Sequence, residues 1–297
     1  MGRVIAAVDG APQGVAAALW AAEEAVRRGS SLRLVHAGPW LTAPHDGPEA
    51  VRPHDDPQSA ALRMVEQARA EVERRHRGLV VECRLVRDQV VDALVRIAED
   101  GELLVLGARG LGGFRELLLG SVGLATAGRA EVPVVVVRPV PEHLADRPDS
   151  GWGQILVGLD AFAPSAGLLE FAFAEAALRG SRLVVVHGWD LPPSWNPLGW
   201  STPPPVAGVD MQAAEAAQLT RALLGWRERF PGTEVVAEAR IGGAAAALVA
   251  GSARADLVVV GRRSLLHRDG PGLGPVAHAV LHHARAPVAV VPHPAGG

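Results

Sequence analysis

Gly2-Arg-Val-Ile-Ala-Ala-Val-Asp9 opens the chain and returns as Gly153-Gln-Ile-Leu-Val-Gly-Leu-Asp160. Each copy is a short apolar run closed by an aspartate, the pattern of a buried strand with a carboxylate at its end. Arg28-Gly-Ser-Ser-Leu-Arg-Leu-Val-His36 likewise returns as Arg179-Gly-Ser-Arg-Leu-Val-Val-Val-His187, at the same spacing of 151 residues (160 − 9 and 187 − 36). Further on, Leu103-Leu-Val-Leu-Gly107 matches Leu257-Val-Val-Val-Gly261, and Pro133-Val-Val-Val-Val137 matches Pro287-Val-Ala-Val-Val291, now 154 residues apart (261 − 107 and 291 − 137). The chain therefore reads as a tandem duplication with halves of roughly 140 residues. Pro139 to Gly153, rich in proline and charge, reads as the join, which sets domains at 1–140 and 152–297 around a linker at 141–151.

Inside each half, apolar runs alternate with helix-period segments. In the first, strands are expected at Val4–Val8, Leu32–Val35, Leu79–Val86, Glu102–Leu106 and Val134–Arg138. Val15, Leu19, Ala22 and Val26 share one helical face, and Gly29 follows as the expected left-handed stop. Leu62, Val65 and Val72 mark a second helix, and further helices follow over Val91–Glu99 and Gly120–Arg129. Continuous apolar strands separated by helices predict an α/β fold, a doubly wound parallel sheet of five strands per half with helices on both faces.

Composition narrows the function classes. With 29 basic and 32 acidic residues, net charge −3, the chain offers no basic stripe for nucleic acid or acidic membrane. One cysteine, Cys83, precludes an internal disulfide framework and suits a reducing cytoplasm. The first residues do not resemble a signal peptide, and no run reaches the roughly 18 apolar residues of a membrane span. Every basic residue is arginine; without a lysine there is no Walker A loop, and no Gly-x-Gly-x-x-Gly follows either first strand.

The chemistry is expected in Gly107-Ala-Arg-Gly110-Leu-Gly-Gly-Phe-Arg-Glu-Leu-Leu-Leu-Gly120-Ser121-Val122. This glycine-punctuated loop lies between a strand and a helix, where ligands collect at the carboxyl edge of open parallel sheets. Glycines let the backbone approach a ligand closely, and the helix start offers unpaired N–H groups and partial positive charge to an anion such as phosphate. A structural turn with Ser121 as helix cap is the competing reading. Asp9 can accept from ribose hydroxyls, hold a divalent ion, or cap the first helix. Arg109 and Arg115 could neutralise phosphate or simply face solvent.

The strand-ending aspartate, the Gly107-x2-Gly110-x9-Gly120-Ser121 signature and the closing Ala130-Glu-Val-Pro-Val-Val-Val-Val137 together resemble the universal stress protein family, in its tandem form. The resemblance covers both halves. It implies strand order 3-2-1-4-5 and binding of ATP, with magnesium or manganese. It implies that Asp9 lies near the adenosine and the metal, that backbone around Ala7 and Ala37 meets the adenine, and that Leu106, Gly107, Gly110, Gly120, Ser121 and Val122 hold ribose and phosphates. It also implies pairing through the last strand of each half, within the chain or across a homodimer.

In the second half the loop begins at Gly261 and keeps Gly274, but Ser264 stands where Gly110 does and Pro275 where Ser121 does. Proline fits a first helical turn but carries neither N–H nor hydroxyl. The expectation is one competent site in the first half and a weaker one at Asp160, Gly261, Ser264 and Gly274. His36 and His187 are expected to be structural, Cys83 buried, His282 and His283 not a joint metal site, and Trp189, Trp195 and Trp200 a cover or a partner surface. The function expected is that of a cytoplasmic, ATP-binding stress regulator with an unidentified protein partner. A slow ATPase or phosphotransferase and a nucleotide-free interaction module are the alternatives.

Overall fold

The computed structural model describes residues 2–39, 57–108, 119–138, 151–190, 205–264 and 272–294. They form two compact units. The first holds β1 (Arg3–Ala7), α1 (Pro12–Arg28), β2 (Ser31–Ala37), α2 (Pro57–Arg75), β3 (Val81–Val86), α3 (Val90–Ala98), β4 (Leu103–Gly107), α4 (Ser121–Arg129) and β5 (Val134–Val137). The second holds β6 (Gln154–Gly158), α5 (Ala166–Arg179), β7 (Arg182–Trp189), α6 (Pro205–Arg229), β8 (Val235–Ile241), α7 (Ala244–Gly251), β9 (Leu257–Ser264), α8 (Pro275–His283) and β10 (Val288–Pro294).

Within the first unit the strand order is β3-β2-β1-β4-β5, with every pair parallel. Within the second it is β8-β7-β6-β9-β10, again all parallel, so both units have the expected 3-2-1-4-5 order. The cause is visible in the central strands: Val4, Ile5, Ala6, Leu103, Leu104 and Val105 are all fully buried, as are Ile155, Val157, Leu257, Val258 and Val259. A strand covered on both faces must be apolar at every position rather than at alternate ones.

The helices correct two expectations. α1 buries Ala17, Ala18, Ala21, Ala22 and Ala25, while Val26 is 54% exposed and Val15 and Leu19 are half-buried. The face that meets the sheet is the one with small side chains, which allow close approach. α2 buries Ala61, Val65, Ala68 and Val72 but leaves Leu62 48% exposed, one residue off that face. Gly29 does end α1 in the left-handed conformation, φ 61°, with its N–H reaching the Ala25 and Val26 carbonyls. Cys83 is half-buried on β3, where desolvation pushes its thiol pKa up. Trp189 closes β7 and is buried, whereas Trp195 and Trp200 lie outside the described residues. Among the described residues no helix is long and apolar enough to cross a membrane.

Candidate functional site

Strand register sets the floor of the site in the first unit. Ala7 pairs with Val35, Ala6 with Val105, and Gly107 with Val137, so Ala7, Ala37, Leu106 and Gly107 all lie at or near the carboxyl edge. Leu106 and Ala37 are buried and Ala7 is half-buried. Just beyond β1, Asp9 folds its Oδ1 back to accept from Ala11 N at 3.1 Å. Ala11, and not Asp9, is the N-cap of α1, and it makes no side-chain cap bond.

Ala108 N donates to Val137 O, tying the start of the glycine loop to the end of β5, and Gly120 N donates to Ala108 O, joining the loop's two ends, both at 2.8 Å. The loop's middle, with Arg109, Gly110 and Arg115, lies outside the described residues. Gly120 is the N-cap of α4 and offers no side chain to it; Ser121 is the first helical residue, so it does not cap the helix. Ser121 and Val122 are both exposed. The first-turn N–H groups of a helix have no partner within it, so an open N-terminus at this edge suits an anion.

Gly107 has a packing role that spacing did not disclose. A Cβ there would stand 2.8 Å from both the carbonyl carbon and oxygen of Gln13, in the first turn of α1. Gly14, which the sequence reading passed over, is equally tight against Asp9: a Cβ would stand 2.7 Å from Asp9 Oδ1. The signal was present as a glycine five residues after Asp9, with serine at the corresponding place in the second half.

The second unit has a different edge. β9 does not stop at Gly261; it continues through Arg262 and Arg263 to Ser264, paired with Pro292, His293 and Pro294 of β10. What the sequence suggests is the start of a loop is therefore strand. Gly274 is the exposed N-cap of α8, with Pro275 at its first position. Asp160 Oδ2 lies 3.7 Å from a guanidinium nitrogen of Arg263. Gly188, in the place of Ala37, lies under the start of α7, where a Cβ would fall 1.9 Å from Ala244 N. The end of β7 is thus covered by backbone.

The two strand-end histidines are structural, as expected. His36 Nδ1 lies 2.7 Å from Val8 O, and His187 Nδ1 lies 3.1 Å from Leu159 O, so each ties its unit's second strand to the turn after the first. His187 Nε2 also meets Glu215 Oε2 at 3.0 Å. Among the described residues no three His, Cys, Asp or Glu side chains converge as a metal site. A cleft of about 530 Å³, lined among others by Gly180, Arg182, Arg229 and Phe230, lies at the opposite end of the second unit's strands from Asp160.

A sequence model of the universal stress protein family matches residues 1–138 and again 151–292. A universal stress protein of Mycobacterium tuberculosis is 35% identical over 303 residues, covering 97% of this chain and 96% of its own. A second from that organism is 31% identical over 305 residues, covering 97% and 94%. A solved universal stress protein from Archaeoglobus fulgidus matches with a TM-score of 0.62 over 98% of both chains at 19% identity, a likeness of fold. With two family domains along its length, the chain belongs to the universal stress protein family, in its tandem form.

Proposed function

We propose that the first unit binds ATP with magnesium or manganese, and that the chain acts as a cytoplasmic, nucleotide-responsive regulator of a stress response. The observation that carries this reading is the open start of α4, where exposed Ser121 and Val122 follow an N-cap without a side chain, tied to the end of β4 by the bond from Gly120 N to Ala108 O. In this reading the first-turn N–H groups and the Ser121 hydroxyl bind phosphate, Leu106, Gly107 and Gly110 line the ribose side, and backbone at Ala7 and Ala37 meets the adenine. Asp9 takes ribose hydroxyls or the metal ion that accompanies the phosphates, a fitting donor because magnesium takes one or two carboxylates plus substrate phosphates.

The second unit is the weaker site in the same reading. Pro275 removes an N–H and a hydroxyl, Arg263 stands by Asp160, and the α7 backbone covers Gly188. In this reading the functional halves are 1–140 and 152–297, joined by the linker 141–151. Self-association through a last strand, β5 or β10, belongs to this reading and is tested by sedimentation of the intact chain.

The direct test copies the second unit into the first. Ser121→Pro is tolerated at a first helical position but removes up to two charge-assisted bonds of about 1.5–3 kcal/mol each. Calorimetric titration with ATP and magnesium chloride should show at least about a tenfold loss of affinity with an unchanged fold. Equal affinity in the variant contradicts the phosphate assignment. Steady release of phosphate that stops in Asp9→Ala while binding persists would move the reading to a slow ATPase.

A further inference from the structure

Asp9 and Asp160 hold matching places, and each accepts through Oδ1 from the backbone N–H two residues on, Ala11 at 3.1 Å and Phe162 at 3.0 Å. The helices that follow differ. α1 begins at Pro12, whereas α5 begins at Ala166, three residues later in the repeat. The extra turn of α1 lays Gly14 against the aspartate, with a would-be Cβ 2.7 Å from Asp9 Oδ1 and 3.2 Å from Asp9 N. With the helix starting at Pro12, a side chain at position 14 would press on the carboxylate that Ala11 N holds.

The second unit shows the alternative arrangement. The residue matching Gly14 is Ser165, which stays outside the helix as its N-cap and accepts from Leu168 N at 3.3 Å. The Asp160 side chain is half exposed and lies near Arg263. Helix propensity does not account for Gly14, because glycine is a poorer helix former than serine or alanine.

We infer that Gly14 is a positioning residue of the nucleotide site. Having no side chain, it lets α1 start three residues earlier in the repeat than α5 and pack its first turn on Asp9 while one carboxylate oxygen stays on Ala11 N. The other oxygen is then held for a ribose hydroxyl or the cation on the phosphates. The inference rests on the reading that the first unit binds nucleotide.

The test uses the full chain and calorimetric titration with ATP and magnesium chloride on wild type, Gly14→Ala, Asp9→Ala and the double variant. Gly14→Ala should weaken ATP about tenfold or more, the scale of losing a charge-assisted bond. Its ligand-free melting temperature should change little, since alanine's better helix propensity offsets the loss of the Asp9–Ala11 bond. In the Asp9→Ala background the same change should have no further effect on affinity, which a merely structural role would not produce. Wild-type affinity in Gly14→Ala, or full additivity in the double variant, overturns the inference while leaving the site reading in place. A wild type that takes up no ATP overturns both.

Discussion

Gly107 meets the first turn of α1 so closely that a methyl group would stand 2.8 Å from Gln13 backbone atoms. Neither backbone segment can swing aside as a side-chain end could. Gly107→Ala should therefore destabilise the chain by about 1–3 kcal/mol, read as a lower urea midpoint, before any effect on nucleotide. The sequence showed this glycine but gave it a ligand-facing reason, because its neighbour Gln13 is distant in the chain and joins it only in the fold. Asp9 was legible because a carboxylate closing an apolar run marks a strand end. Gly14 was not, because a lone glycine in a helical pattern is ordinary until the carboxylate beside it is located.

α1 shows why element existence was easier to read than element orientation. Periodicity put Val15, Leu19, Ala22 and Val26 on one face, yet of these only Ala22 is fully buried, and the face on the sheet is completed by Ala17, Ala18, Ala21 and Ala25. Small residues let a helix lie close to a sheet, and hydrophobicity alone does not rank them above valine. Ala21→Leu should then cost about 1–3 kcal/mol through overpacking, and Val26→Gln, at an exposed position, no more than about 0.5 kcal/mol, both by chemical denaturation. At the start of α3, the Arg96 guanidinium, with help from Gln89 N–H, holds the Asp88 carboxyl below the usual aspartate range. A depressed folded pKa gives stability that is present above the unfolded value and lost as pH falls through the folded one. The melting-temperature gap between wild type and Asp88→Asn should therefore be small and present at neutral pH, and should close as pH drops below about 4.

Duplication is what made the two-unit architecture readable: four strand signals occur twice, and the two units share the strand order that the family resemblance implies. What the repeat hides is how the copies diverge. Extension of β9 to Ser264, cover over Gly188 and the Asp160–Arg263 contact all depend on partners far apart in sequence. These differences predict that Pro275→Ser alone does not create a second site, since the proline is one of several changes; titration of that variant should show the wild-type stoichiometry. The measurement that tests the one-site account most directly is the amount of nucleotide bound per intact chain at saturation, taken from equilibrium dialysis with ATP and magnesium chloride. One tight equivalent per chain, lost in Ser121→Pro and retained in Pro275→Ser, is the predicted result. Two equivalents of equal affinity, or one that survives Ser121→Pro, would contradict it.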